Sequence, residues 1–102
     1  MNFNQLMKQA QVMQKRMDKL KKEFDEKEYT FSSSDHAIEG IIDGHLVIKQ
    51  LKINEELLDK ENKEVLEDLL MITVNEAIKK MNDEKENAMS EITGGINMPG
   101  LF

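Results

Sequence analysis

Three lysines spaced seven residues apart near the start of the chain are the first candidates for chemistry. Lys8, Lys15 and Lys22 recur every two helical turns, so on a helix they would lie on one line, about 10 Å apart. Residues 1–22 carry six basic side chains and one acidic one, a net charge of +5. Because ammonium and guanidinium groups donate to phosphate oxygens, the pattern predicts contacts with a polyanion, with Arg16 and Lys19 as secondary contacts.

A solvated helix face is the alternative interpretation of this row, because soluble helices commonly carry lysines opposite an apolar stripe. Two features favour phosphate binding. Acidic residues are almost absent from residues 1–22, so the lysines lack the acidic partners that surface helices usually offer at i,i+4. Uncharged amides, which can donate to phosphate oxygens, take their place: Asn4, Gln5, Gln9, Gln11 and Gln14.

The other polar residues predict neither catalysis nor a cofactor. His36 and His45 both fall at turns, and a metal site would need them to converge with Asp35 or Asp43. The chain has no cysteine, no glycine loop between a strand and a helix, and no motif that would activate the serines at 32–34. We expect no enzyme, no metal and no small-molecule substrate; a small hydrolase or metal protein would require the histidines to converge.

A long amphipathic helix must position the lysines. Apolar residues spaced alternately three and four apart form a heptad seam in residues 3–24, and Lys8, Lys15 and Lys22 lie on the opposite side. The seam consists of Phe3, Leu6, Ala10, Met13, Met17, Leu20 and Phe24.

Three strands are predicted after this helix. Tyr29 and Phe31 alternate with polar neighbours, and residues 37–42 and 46–53 are rich in β-branched residues on either side of Asp43-Gly44. This dipeptide predicts a type I′ hairpin turn. Alternation would place Ile48 on the face of Gln50 and Lys52, opposite the face of Leu51 and Ile53.

A second long helix is predicted to begin near Asn62, as its N-cap, after a connector with a short helical turn. Its apolar surface between Val65 and Met81 is too wide for one neighbour, so a partner subunit is expected. Beyond Met81 the polar stretch is expected to extend into solvent, anchored only by Ala88 and Met89. Residues 94–102 are predicted to form a flexible tail.

The order helix, three strands, helix predicts an α+β fold in one domain over residues 1–102. The formal charge of −6 leaves −11 outside residues 1–22, so the molecule is strongly polarised. No run approaches the ~20 apolar residues of a membrane span, which favours a cytoplasmic protein with no membrane partner.

Several short stretches also resemble a known family in their order and spacing. They are Leu6–Gln11 with Met13-Gln14 and Met17, Asp43-Gly44, Leu51–Asn54, Leu57-Leu58, Leu66–Leu70, Asn75–Ala77, Gly94-Gly95 and Met98–Gly100. The chain resembles the YbaB/EbfC family of bacterial nucleoid-associated proteins over nearly its whole length. The resemblance implies an α-β-β-β-α protomer, with long helices flanking a three-stranded antiparallel sheet, that forms a tweezer-like homodimer. It further implies binding to double-stranded DNA with limited sequence preference, and no catalysis.

Departures from the family pattern concern turns and charge. Serine, aspartate and histidine replace the glycines frequent in the first turn, and the hairpin has Asp-Gly in place of the usual Asn-Gly. The second helix is acidic in its first half, so only Lys79 and Lys80, which match a basic pair in relatives, are expected to contact DNA there.

The leading hypothesis is a dimeric, cytoplasmic, nucleoid-associated protein that binds DNA through Lys8, Lys15 and Lys22. A protein-interaction module, whose helical arms clasp a partner protein, is the alternative, because it would explain both the heptad and the acidic surface.

Overall fold

The first helix of the computed structural model, which describes residues 2–93, positions the predicted lysines. Helix α1 spans Phe3–Glu26, and the Asn2 side chain caps it by accepting from the main-chain N–H of Gln5 at 2.8 Å. Met17 and Phe24 are its buried residues, whereas Phe3 and Leu6 are exposed. The predicted seam is therefore buried in its second half only.

The sheet follows in chain order. Strands β1 (Glu28–Ser32), β2 (Ile38–Asp43) and β3 (Ile48–Ile53) form an antiparallel sheet in the order β1-β2-β3. Phe31 pairs with Gly40, and a Cβ on that glycine would collide with the Phe31 ring and lie 2.6 Å from the Gln50 carbonyl oxygen. Gly40 therefore lets an aromatic side chain lie across the central strand.

Two 3₁₀ turns connect the sheet to the second helix. They span Glu55–Leu57 and Lys60–Asn62, and the side chains of Asn54 and Asp59 cap them. Helix α2 spans Lys63–Thr93, so it begins where predicted. The predicted capping residue, Asn62, instead donates through its side-chain amide to the Glu56 carbonyl at 2.9 Å.

The core lies where the end of α1, the sheet and the middle of α2 meet. Phe24, Ile42 and Met81 form a buried cluster, with Tyr29 packed against Phe24 at 5.4 Å between ring centroids. Burial, with a smaller contribution from Glu84, raises the pKa of the Tyr29 phenol. The α-β-β-β-α arrangement predicted from the sequence is confirmed.

The prediction that α2 extends into solvent beyond Met81 is wrong in part. Met89 is 3% exposed and Ala88 is half-buried, so these two residues do anchor the stretch as predicted. The helix nevertheless stays close to α1 up to its end. Ile92 of α2 borders the same groove as Val12 and Met13 of α1. The two helices run antiparallel and form a paired arm. The tail predicted at residues 94–102 lies outside the described residues.

The prediction of a type I′ turn at Asp43-Gly44 is also wrong. The Asp43 N–H donates to the Val47 carbonyl and the Leu46 N–H donates to the Asp43 carbonyl, each at 3.0 Å, so the Asp43–Val47 hydrogen bond encloses the three residues 44–46. The positive φ belongs to Leu46, at 66°. Gly44 serves a different purpose, since a Cβ there would collide with the main chain of Phe24 and Asp25.

A β-bulge changes the predicted faces of β3. Ile41 pairs with Gln50 but Ile42 pairs with Ile48, so Lys49 is the extra residue. Because paired residues share a face, Ile48 lies on the side of Leu51 and Ile53. The alternation that placed Ile48 with Gln50 and Lys52 is therefore wrong at this end of the strand.

Candidate nucleic-acid interface

Lys8 and Lys15 form the open part of the predicted lysine row. Both side chains lie on exposed positions of α1, on the opposite side from Met17 and Phe24, whose burial fixes how the helix is rotated against the core. Within residues 2–93, neither lysine has an ion-pair partner. Their seven-residue separation corresponds to ~10 Å along the helix.

Lys22 lies in a different electrostatic environment. It borders a shallow depression of about 220 Å³ together with Lys21, Asp18, Asp25, Glu26 and His45. The absence of acidic residues near the lysines therefore does not extend to the end of the row. Acidic neighbours reduce the local positive potential, so Lys22 is a weaker candidate for phosphate than Lys8 or Lys15.

Arg16 and Lys19 lie toward α2. They border a shallow groove whose other residues include Glu23 and Glu91, and the Lys19 ammonium lies 4.0 Å from the Glu23 carboxylate. Both members of this pair are largely exposed, so the pair contributes little stability. Arg16 also borders the groove lined by Lys8, Val12 and Ile92.

Lys79 and Lys80 are exposed but are not brought together with the α1 lysines. Lys80 lines cavities between α2 and the sheet, where Glu76 and Glu84 are neighbours. Lys8, by contrast, lies near Ile92, twelve residues or ~18 Å farther along α2. These two lysines could meet the same ligand as Lys8 only if that ligand were extended.

The two helices of the arm differ in charge. Beyond Met81, α2 carries Asp83, Glu84, Glu86 and Glu91, and the one lysine of this stretch, Lys85, lies 3.8 Å from Asp25. A polyanion would therefore be repelled from α2 and attracted to the outer side of α1.

Asp25 is a residue that sequence reasoning missed. Its carboxylate is 13% exposed and lies 3.9 Å from His45 Nδ1 and 3.8 Å from Lys85 Nζ. It thereby joins the end of α1 to the hairpin loop and to α2. No local spacing signals this cluster, because its three members are far apart in sequence.

The histidines lie at opposite ends of β2 and have different neighbours. His36 Nδ1 is 3.5 Å from Glu39, whereas His45 faces Asp25. Within residues 2–93, no group of three or more histidine, aspartate or glutamate side chains could hold a metal ion. Neither helix in this range is both long and apolar enough to cross a membrane.

Comparison with known proteins identifies the family of the chain. The model of the YbaB/EbfC DNA-binding family matches residues 1–96. The chain belongs to this family. Among curated relatives, a nucleoid-associated protein from Clostridium kluyveri is 40% identical over 101 residues, covering 99% of this chain and 89% of the relative. One from Clostridium acetobutylicum is 40% identical over 100 residues, covering 98% and 89%.

A solved structure supports the fold independently. The crystal structure of HP0035, an uncharacterized protein from Helicobacter pylori, matches with a TM-score of 0.73 at 24% identity. The match covers 91% of this chain and 98% of the other. At this level of identity the similarity supports the fold alone, which is the α-β-β-β-α arrangement described above.

Proposed function

We propose that this member of the YbaB/EbfC family binds double-stranded DNA as a homodimer in the nucleoid, with little sequence preference. The observation that carries the proposal is the pair Lys8 and Lys15, which are exposed, free of ion pairs within residues 2–93, and aligned on one side of α1. Lys22, Arg16 and Lys19 would be secondary contacts, and Lys79 and Lys80 would engage only longer DNA.

Binding would arise from phosphate contacts and the release of condensed counterions. The ~10 Å between Lys8 and Lys15 corresponds to about three steps of 3.4 Å along one DNA strand. No recognition helix of a helix-turn-helix, zinc finger or basic zipper is present in residues 2–93 to read base edges. The protein would therefore occupy or bridge duplex DNA, in nucleoid organisation or gene regulation.

We propose a homodimer because a single chain leaves several large apolar side chains exposed to water. On β3 and its loop, Val47 is 48% exposed, Ile48 40% and Leu51 42%. On α2, Met71 is 58% exposed and Ile72 50%. A second copy that covers these residues would remove large apolar side chains from water and give each dimer two α1 lysine rows.

The negative net charge of the chain should lower its affinity for DNA. A dimer would carry twice the formal −6, so affinity depends on local attraction at α1 outweighing repulsion elsewhere. At physiological salt, fields from exposed charges decay over about 8 Å, so the outer side of α1 can attract phosphate despite the acidic remainder.

Charge reversal on the arm tests the proposal. The double variant Lys8→Glu/Lys15→Glu should lose binding to a short duplex in fluorescence anisotropy, with its far-UV circular dichroism and oligomeric state unchanged. The matched control is Lys60→Glu/Lys63→Glu, which changes the charge equally near the start of α2, ~40 Å along that helix from Ile92. Equal loss in both variants would show that net charge alone governs binding, and would overturn the proposed site.

A further inference from the structure

A groove between the two helices of the arm combines apolar side chains with two cations. Its volume is about 380 Å³. Val12 is 57% exposed, Met13 is half-buried, and Ile92 supplies an apolar side chain from α2. No acidic side chain is among the described residues that line it, which are Lys8, Gln9, Val12, Met13, Arg16 and Ile92. The groove is therefore a shallow apolar surface with a positive potential.

The two cations lie on either side of Val12 along α1. Lys8, Val12 and Arg16 follow one another at four-residue intervals, so they lie on successive turns of one side of the helix. The rise from Lys8 to Arg16 is ~12 Å. In the described part of the chain neither cation has an ion-pair partner, although Glu23 and Glu91 line the neighbouring groove beyond Arg16. Two available positive charges thus flank an apolar surface.

Phosphate binding explains only part of this surface. Around the helix, Val12 lies ~40° and Arg16 ~80° from Lys8 in the direction of the groove, whereas Lys15 lies ~20° in the opposite direction. DNA phosphates could neutralise the cations, but the phosphate backbone offers no apolar surface to cover Val12. A ligand that matches the whole groove carries an anionic group at each end and an apolar group between them.

An amphipathic helix meets this requirement. Carboxylates eight residues apart on a helix are also ~12 Å apart on one side, and the side chain midway between them faces the same way. Peptide-binding grooves commonly hold such helices by their apolar side chains. A small molecule fits less well, because pockets for small molecules bury most of the ligand, whereas this groove leaves Val12 largely exposed.

A second copy of the chain could offer a similar stripe. Asp68, Ile72 and Glu76 are exposed and follow the same four-residue intervals on α2. The proposed homodimer, however, covers Ile72, so a second copy in that dimer could not place this stripe in the groove. The observations therefore favour a different protein as the occupant.

We propose that the groove between α1 and the end of α2 docks an acidic amphipathic helix of a partner protein. Its two carboxylates would lie at Lys8 and Arg16, and the apolar side chain between them would cover Val12. Docking goes beyond the proposed DNA binding, while the choice of a different protein rests on the proposed homodimer. Because Lys8 also belongs to the lysine row, a docked helix would compete with DNA for it.

A designed peptide is the probe for the groove. It is an alanine-rich helix of roughly 20 residues, long enough to fold partly in water, with two glutamates eight residues apart and a leucine midway between them. In the isotope-labelled full chain, the peptide should shift the amide resonances of residues 8–16 and 88–92 and spare those of residues 44–46. Replacing both glutamates of the peptide by glutamine should weaken binding by about fivefold, as expected for the loss of two exposed ion pairs.

Matched valine variants give the control. Val12→Gln should weaken peptide binding by about tenfold in fluorescence anisotropy, because it removes the apolar contact at the centre of the groove. Val65→Gln makes the same change at a valine that is 54% exposed near the start of α2, far from the groove, and should bind the peptide like the parent. Absence of shifts in residues 8–16 of the parent, or equal peptide affinity of the two variants, would overturn the proposal.

Sedimentation velocity tests whether a second copy occupies the groove instead. Val12→Gln should have the mass of the parent protein, and a lower mass would show that a second copy binds there and would overturn the proposal. The substitution leaves the charge unchanged, so DNA affinity should equal that of the parent. Because peptide binding is measured without DNA, failure of this proposal is distinguishable from failure of the proposed DNA site.

Discussion

Gly44 in the hairpin loop lies directly against the main-chain carbonyl of Phe24 near the end of α1. A side chain at this position would collide with that carbonyl and approach the Asp25 Cα to 2.5 Å. The hairpin loop is thus fitted to the base of the arm, and the Asp25 contacts with His45 and Lys85 hold the same junction from the side. This junction sets the direction in which α1 presents its lysines.

Gly44→Ala should therefore destabilise the protein although the added group is only a methyl. The collision involves main-chain atoms, which cannot rotate away, so a cost of about 1–3 kcal/mol is expected. Urea unfolding followed by circular dichroism measures it. Ser34→Ala, at an exposed position in the other turn, is the control and should change the stability little. Equal stability of Gly44→Ala and the parent would contradict the close packing.

Asp43 should make the stability of the fold depend on pH in the acidic range. Its carboxylate accepts from the main-chain N–H of Val47 at 3.0 Å and of His45 at 2.9 Å and faces Lys49, and these contacts hold its pKa below the usual 3.8. A lowered pKa in the folded state means that the carboxylate stabilises the fold above about pH 4, and that this contribution is lost as the pH falls through the folded-state pKa.

The variant Asp43→Asn isolates this effect. It should be less stable than the parent at pH 7, and the difference should narrow as the pH falls below about 4, because protonation removes the same charge from the parent. Urea unfolding at several pH values measures both. A difference that stays constant across the range would show that the charge of Asp43 does not matter. Hydrogen bonds from the Ser33 hydroxyl and the Ala37 N–H also lower the pKa of Asp35. Asp35 should therefore make the parent and the Asp43→Asn variant lose stability in acid in the same way, so it does not affect the difference between them.

Thr73 offers a test of the core. Its side chain is 2% exposed, and its hydroxyl has no hydrogen-bond partner within residues 2–93. Thr73→Val keeps the shape and removes the unpaired hydroxyl, so stability should rise by about 1 kcal/mol. Thr30→Val, on an exposed strand position, is the control and should change little. A loss of stability in Thr73→Val would indicate that the hydroxyl is bonded in the assembled protein.

The lysines of the row should differ in how much each contributes to DNA binding. Lys15→Glu should reduce the slope of log affinity against log salt by about one, as expected for loss of one phosphate contact. Lys22→Glu should reduce it less, because Asp18, Asp25 and Glu26 surround Lys22. Anisotropy titrations of each single variant over a range of salt concentrations measure the slopes. Equal slopes for the two variants would contradict the ranking.

The sequence predicted the order and approximate bounds of the elements because periodicity is a local property. The alternation around Tyr29 and Phe31 and the heptad through Met17 and Phe24 are visible without tertiary contacts. The hairpin loop was mispredicted because Asp43-Gly44 is governed by a tertiary contact, the close approach of Gly44 to Phe24. Local propensity alone favours a type I′ turn there.

For the candidate site, the sequence predicts which lysines align on α1 but not which residues from other elements lie beside them. Spacing alone placed Lys8, Lys15 and Lys22 on one line, but it could not show that Lys22 adjoins Asp25 and His45, which depends on how α1 meets the hairpin. The position of Lys80 beside the sheet, away from Lys8, likewise required the packing of α2.

The most direct test of the account is the salt dependence of binding to a short DNA duplex. If six phosphate contacts form, the affinity of the parent protein should fall by about a thousandfold between roughly 50 and 200 mM salt. The triple variant Lys8→Glu/Lys15→Glu/Lys22→Glu should not bind at any salt concentration, while its fold and oligomeric state stay those of the parent. A flat salt response in the parent, or unimpaired binding by the triple variant, would contradict the account.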